Sequence, residues 1–442
     1  MATDNDAAGL ATATAKDTPP PSDEPPPLVD VALIDANMAD SFGEYARAWF
    51  KRIRTGDAGI LPVIGGLVVI AIIFQTQNSN FLSAENFAGL LTQTSYFVLF
   101  GMAEVFVLLL GEIDLSTGYV AACGGAITLI LTSQLHNFNW GVAALCGLAF
   151  CALVGFIQGL LVTRLGLPSF VVTLGGLLGF EGVLLYILNT YSGKNSGGTV
   201  AAVPGVLVDL DNGLVTPAWG WIILAALVAV FAAFTLAQYR RRQASGLVTP
   251  PFGLALLKIA GVAVIGVIVV YVCNRNRGRT TTIRGVPWAV FIILGIVLAA
   301  TFLLSRTRFG RYVYAVGGNA EAARRAGINV NRIRLMCFTL CSFTAGLAGL
   351  FYSSYIQSIS QSVDGGNLVL YAVAAAVIGG TSLFGGRGKM VYAVLGGFVI
   401  ATIYNGMGLI GLSSAAQFMV TALVLVAAAT IDALARRGRT AS

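Results

Sequence analysis

Residues Ser305–Leu335 read SRTRFGRYVYAVGGNAEAARRAGINVNRIRL, and the rest of the chain is read outward from them. This is the longest polar interruption between apolar segments after Ile60. It carries seven arginines (Arg306, Arg308, Arg311, Arg324, Arg325, Arg332, Arg334) against one acid, Glu321. In a membrane protein, basic loops stay on the cytoplasmic side. Within the stretch the spacing predicts one short helix over 320–326. Asn319 offers a side-chain oxygen to the free N–H groups of the first turn. Glu321 sits in that first turn, where the helix dipole favours negative charge. Ala320, Ala322, Ala323 and Ala326 are strong helix formers. Gly327 can adopt the left-handed conformation that ends a helix. Two turns are too few for stability in water, so the helix requires a partner surface. A plain surface helix in a loop remains the alternative reading.

The chain around this stretch is written for a bilayer. Only 11% of its 442 residues are charged, against roughly a quarter in an ordinary soluble domain, and the mean hydropathy is +0.80. Apolar segments of about 20 residues, each long enough to span as a helix, recur from Ile60 to the C-terminus. The expected class is an all-α polytopic membrane protein of about 12 spans (10–12), with both termini cytoplasmic. Residues 1–45 are acidic and Pro-rich (TPPPSDEPPP) and read as a disordered cytoplasmic tail. Residues 46–57 form a basic amphipathic lead-in, and 58–438 the membrane domain. Through Asp57 there are ten acids and five bases; beyond it, ten acids and 22 bases. These bases cluster in short loops at helix ends, which fits membrane orientation and gives no nucleic-acid footprint. Residues 190–216 read as a polar external loop. By alternation the segment 274–286, with four arginines, falls outside and violates the positive-inside rule.

Chemistry-bearing residues are few. The single histidine, His136, lies in a loop. The six cysteines are scattered in apolar segments and read as small core residues. No metal spacing, nucleophile constellation or GxxxxGK[ST] phosphate loop is present, so no metal site, no nucleotide site and no enzyme activity are expected. Acids inside spans are functional candidates because they are costly there: Glu104 and Glu181 in mid-span, Glu112 and Asp114 at a helix break. Asp114 and Ser116 read as caps of the following helix, and Asp432 as a snorkelling partner of Arg436. Gln158, Phe170, Thr173, Asn405 and Gln417, with Tyr404, are polar or aromatic residues suited to a sugar path, although each alone could serve helix packing.

Four ordered stretches carry a family resemblance: GEIDLS (111–116) followed by TG, PSFVVTLGGLLGFEG (168–182), RFGRYVYAVGGNAEAARRAGINV (308–330) and AAAVIGGTSLFGGRGK (374–389). Together they are similar to bacterial ABC sugar-importer permeases of the ribose/xylose/galactose class, over nearly everything from residue 60. Glu112 and the extra pair of spans between 190 and 286 resemble the D-xylose type. Glu181, Glu104 and Gln158 depart from that type's usual pattern. The resemblance implies a multi-pass subunit of the bacterial plasma (inner) membrane that pairs with a second copy of itself. It implies a cytoplasmic ATPase that binds ATP and Mg, so this chain holds no cofactor, and an extracytoplasmic binding protein that delivers a monosaccharide. Gly318, Asn319, Glu321, Ala322, Ala323, Arg324 and Gly327 would then form the ATPase-coupling element. The rival expectation is a proton-coupled secondary transporter working through Glu104 or Glu181.

Overall fold

A computed structural model describes residues 61–430, apart from 134–135, 193–196, 203–204, 247–248, 250, 279, 424–425 and 427–429. The tail, the lead-in and Asp432 lie outside the described residues. Eight helices are long and apolar enough to cross a membrane: α2 (Ala84–Leu108), α4 (Trp140–Arg164), α5 (Ser169–Tyr191), α7 (Pro217–Ala244), α8 (Phe252–Cys273), α9 (Trp288–Arg306), α12 (Val330–Ile356) and α14 (Met390–Leu409). Four shorter apolar helices accompany them: α1 (Leu61–Gln77), α3 (Thr117–Thr132), α13 (Gly365–Ile378) and α15 (Ser414–Leu423). The remaining helices are α6 (Val206–Asn212), α10 (Arg308–Gly318) and α11 (Ala320–Arg325).

Side-chain caps start many of these helices. Ser83 accepts from the N–H of Asn86 to open α2, and Asp364 accepts from the N–H of Asn367 to open α13. Each cap satisfies a backbone donor that the helix itself leaves free. The core is built on α2, which is buried along most of its length from Gln93 onward. It packs against α12, α13 and α14. Helix α12 in turn packs on α3 and α4. In contrast, α7 and α8 pack mainly on one another, and α8 also packs on α2. Their apolar side chains (Val230, Phe234, Leu257, Ile265) are exposed, as befits surfaces that face lipid.

The central polar stretch is more ordered than its sequence implies. It is three helices in series: the end of α9, then α10 and α11, followed by the start of α12. Thr307, Asn319 and Asn329 cap α10, α11 and α12 in turn, each accepting a backbone N–H. Only the second cap was foreseen. Helix α10 escapes a reading based on apolar runs because its buried residues, Gly310, Val313 and Val316, recur every third residue among arginines and tyrosines.

The helical expectation holds for most of the described residues, and a few short strands accompany the helices. The segment 190–216 is not simply a loop: it contains α6 and two short strands, β1 (Thr199–Ala201) and β2 (Leu214–Val215). Strand β1 pairs antiparallel with β4 (Ser358–Ser360), and β2 with β3 (Val286–Pro287). Two-residue and three-residue strands leave no periodicity to read. The pairing fixes geometry nonetheless. Residues 199–201, 214–215, 286–287 and 358–360 share one end of the bundle, opposite the Arg-rich helices at 305–335. The described residues of the basic segment 274–286 therefore lie at the end away from the arginines of 306–334. Arg277 is spent there on structure: it donates to the carbonyls of Cys273 (2.8 Å) and Gly285 (3.1 Å).

Helix α6 tucks its Asp211 completely inside. The Ser95 hydroxyl donates to Asp211 Oδ1 (2.6 Å), and the Asp211 N–H donates to the Ser354 hydroxyl (3.0 Å). Burial pushes this carboxyl up to about 8, with Ser95 opposing the shift. An ordinary aspartate titrates near ~3.9, so the folded chain holds a proton there that the unfolded chain releases. Stability is then lost as pH rises from that ordinary value through about 8. Asp211→Asn should remove this slope. Thermal unfolding of the detergent-solubilised protein, followed from acid to alkaline pH, should show the variant gaining relative to wild type as pH rises; parallel curves would refute the assignment.

Candidate functional site

Four stretches far apart in sequence meet at one knot on the Arg-rich end of the bundle. Helix α2 stops at Leu108, and the chain continues irregularly through Leu109–Ser116 before α3 begins. Irregular backbone at membrane depth survives only if protein satisfies it. Here the Leu109 carbonyl accepts the N–H of Gly386 (2.9 Å), from the glycine-rich loop after α13. Gly317 of α10 packs on the same carbonyl; a Cβ there would lie 1.8 Å from the Leu109 oxygen. The Tyr314 hydroxyl of α10 donates to the Gly388 carbonyl (2.8 Å). Arg334, in the first turns of α12, pairs with Glu112 at 3.1 Å, with Glu112 only 13% exposed.

The inner side of the knot is polar and buried. Asp114 Oδ1 accepts from the N–H of Ser116 (2.9 Å) and from its hydroxyl (2.7 Å). Gln158 of α4 donates to that hydroxyl (2.8 Å). Thr117 donates to Glu104 Oε1 (3.0 Å), and the Thr173 hydroxyl faces the Ile113 carbonyl at 3.4 Å. The capping expectation is thus half met: Asp114 holds the turn, but the Ser116 side chain makes no cap bond to α3. Gln158 and Thr173, read as path residues, sit in this network instead, buried at the break. Glu104 is also sealed here, with Oε2 lacking a partner. Glu181 is only partly buried on α5.

Helix α11 stands on the outside of the knot. Asn319 Oδ1 accepts from the N–H of Ala322 (2.9 Å), and Gly327 takes φ +82°, ending the helix as its sequence implies. Glu321 pairs along the helix with Arg324 (2.8 Å) and Arg325 (3.4 Å). Such exposed pairs contribute little stability, on the order of 0.3–0.5 kcal/mol. Ala323 points inward and is buried with Val313, Val316 and Ile333. The surface that so short a helix requires is therefore supplied by α10 and α12 of the same chain. Ala323 is removed from the outward face, where Ala322, Glu321, Arg324 and Arg325 remain exposed.

A second feature lies about 20 Å from the knot, counting helical rise along α2 and α13. It is a cavity of about 200 Å³ ringed by Tyr96, Phe97, Tyr352, Tyr371, Tyr404 and Phe418, with Asp364, Asn367 and Gln417 among its polar lining. The rings brace one another: Tyr96 and Tyr352 meet edge-on at 5.3 Å, and Tyr371 and Tyr404 at 5.9 Å. Of the residues proposed for a path, Gln417 lines this cavity and Tyr404 walls it. Asn405 is next to the wall but accepts from Asn86 (2.9 Å). Phe170 lies elsewhere, 57% exposed at the start of α5. Sequence reading missed Asp364, Asn367, Tyr96, Tyr352 and Tyr371, since each reads locally as a helix cap or a packing residue. Among the described residues no three His, Cys, Asp or Glu side chains could hold a metal ion.

The xylose transport system permease protein of Escherichia coli (strain K12) is 33% identical over 390 residues, covering 88% of this chain and 95% of that protein. The ribose import permease protein of the same strain is 31% identical over 388 residues, with the same coverage. Its D-allose transport system permease protein is 29% identical over 368 residues, 83% of this chain and 89% of that one. No solved structure matches the chain. The family described as "branched-chain amino acid transport system / permease component" matches residues 86–429. With the family match spanning the knot, the cavity and the helices that join them, the chain belongs to the branched-chain amino acid transport system / permease component family.

Proposed function

We propose that this chain is the membrane-spanning permease subunit of an ATP-driven ABC importer for a monosaccharide, with D-xylose the first candidate. The substrate reading rests on the xylose, ribose and allose permeases among its relatives, the xylose protein matching over 95% of its length. The observation that carries the mechanism is the knot: α11, whose outward face is exposed among the described residues, is tied through α10 and α12 to the break between α2 and α3.

In this reading α11 seats in a cytoplasmic ABC ATPase, which binds ATP and Mg, and the chain itself carries out no hydrolysis. Glu321, Arg324 and Arg325 orient the seat, Asn319 and Gly327 fix the helix ends, and Gly318 and Ala322 allow close approach. A second copy of the chain completes the path, and an extracytoplasmic binding protein delivers sugar at the end bearing β1–β4. The eight long and four shorter apolar helices then form about twelve membrane segments, with both termini in the cytoplasm of a bacterial inner-membrane protein. The shared end of loops 109–116, 305–335 and 379–389 supports that alternation. Movement of the ATPase pair shifts the access equilibrium only as far as its contacts with α11 differ between the two states.

The cavity is the point on the path where sugar passes. Aromatic faces suit the apolar faces of a pyranose, and Asp364, Asn367 and Gln417 can take its hydroxyls. A proton carrier is less well supported. Glu104 is sealed in the knot rather than facing the cavity, and a hydroxyl donor, Thr117, holds it there.

Reconstitution tests this directly. Proteoliposomes holding the chain, its ATPase and a xylose-loaded binding protein should take up xylose with ATP and not with a pH gradient alone; uptake by the isolated chain on a pH gradient would overturn the proposal. Glu321→Lys and Gly327→Val should each lower ATP-driven uptake by about tenfold or more, the loss of roughly 1.4 kcal/mol of coupling, with membrane insertion unchanged. Normal uptake in both would remove α11 from the mechanism. Asn367→Ala and Tyr404→Ala should leave the ATPase bound but slow uptake several-fold, and unaltered uptake in both would move the path elsewhere.

A further inference from the structure

The α7–α8 hairpin contains a second polar pocket, on the same end of the bundle as the knot. Its volume is about 180 Å³. Thr235, Gln238, Tyr239 and Arg242 of α7 line one wall, and Lys258 of α8 stands opposite. Leu254 and Ala255 are its buried apolar lining. Tyr239 and Phe252 meet edge-on at 5.5 Å beside it.

Three observations make this pocket more than a gap. First, Lys258 lies six residues inside α8, about 9 Å along the helix from its start, where a lone ammonium is costly. Second, nothing nearby answers it. Residues 217–273 hold Arg240, Arg241, Arg242 and Lys258 and not a single acid, and among the described residues neither Arg242 nor Lys258 forms an ion pair. Third, the hairpin packs chiefly on itself, so the pocket opens where lipid headgroups run. A depth of one to two turns matches the zone between headgroup phosphate and acyl chain.

We infer that this pocket binds the phosphate of an anionic phospholipid, with Arg242 and Lys258 as the cationic clasp. Tyr239 and Gln238 are the hydrogen-bond donors to the phosphate or glycerol oxygens, and the exposed apolar side chains below, such as Leu257 and Phe234, receive the acyl chains. A guanidinium and an ammonium lining one pocket suit an oxyanion. Basic pockets between membrane helices on the cytoplasmic side are where anionic headgroups are held. The same oxyanion chemistry would also admit free phosphate, which the test separates.

The test is native mass spectrometry of the purified full chain titrated with phosphatidylglycerol, phosphatidylcholine or inorganic phosphate. Phosphatidylglycerol should bind at least tenfold more tightly than phosphatidylcholine, and millimolar phosphate should not displace it. The double variant Lys258→Gln/Arg242→Gln should lose this preference. Arg240→Gln/Arg241→Gln, which removes the same charge from residues outside the pocket, should change affinity less than twofold. An equal loss in both variants, or no preference between lipids, would overturn the site. Displacement by phosphate would overturn the lipid as its occupant. If the double variant does not fold, Arg242→Gln alone, at the exposed end of α7, is read against the same criteria.

Discussion

A helix that stops inside a membrane protein leaves carbonyl groups that no water can satisfy. Helix α2 does this at Leu108, and the structure depends on how Leu109 is answered. The Gly386 N–H satisfies its carbonyl, and Gly317 is the only residue type that fits against it. Those two contacts bring the glycine-rich loop and α10 onto the break. From there Asp114 folds the turn back, Gln158 ties it to α4, and Thr117 ties it to Glu104 on α2 itself. A large part of the polar chemistry of the membrane domain is thus spent on holding one discontinuity.

That discontinuity is also where an outside force could enter. Helix α11 has no stability of its own; it rests through Ala323 on α10 and α12. Both supports end in the knot, α10 through Gly317 and Tyr314, α12 through Arg334. A push on α11 therefore reaches α2 and α3 through packed backbone and one partly buried ion pair, without passing through a flexible loop. The cavity walled by Tyr96, Tyr371 and Tyr404 lies farther along α2, α13 and α14, the helices that the knot joins or borders. A shift of the knot along these helices would alter the spacing of its walls.

Much of this was legible in the sequence, for reasons that differ from residue to residue. Membrane helices announce themselves by length and apolarity, and eight of the described helices are long and apolar enough to cross a membrane. Asn319 and Gly327 were readable because caps act locally, between residues three or four apart. The pairing of Glu112 with Arg334 was not readable, because nothing in either neighbourhood points across more than two hundred residues. Gln158 and Thr173 read as path residues because a polar side chain in a span looks the same whether it faces a cavity or a helix break. Asp211 was missed because its segment is polar and short, and only the fold reveals that α6 turns inward. The cavity tyrosines look like packing residues until Asp364 and Asn367 are brought beside them.

The central claim is that the knot transmits, and the Glu112–Arg334 pair tests it most directly. The quantity to measure is sugar-stimulated ATP hydrolysis by the reconstituted complex. Arg334→Glu should leave the ATPase bound and its basal hydrolysis intact, yet cut the sugar response by about tenfold, an interaction of roughly 1.4 kcal/mol within the range found for contacting residues. The exchange Glu112→Arg/Arg334→Glu restores the attraction with its sign reversed, and it should recover most of the response. If Arg334→Glu leaves the sugar response unchanged, or if the double exchange is no better than the single variant, force does not pass through this pair and the knot is structural support alone.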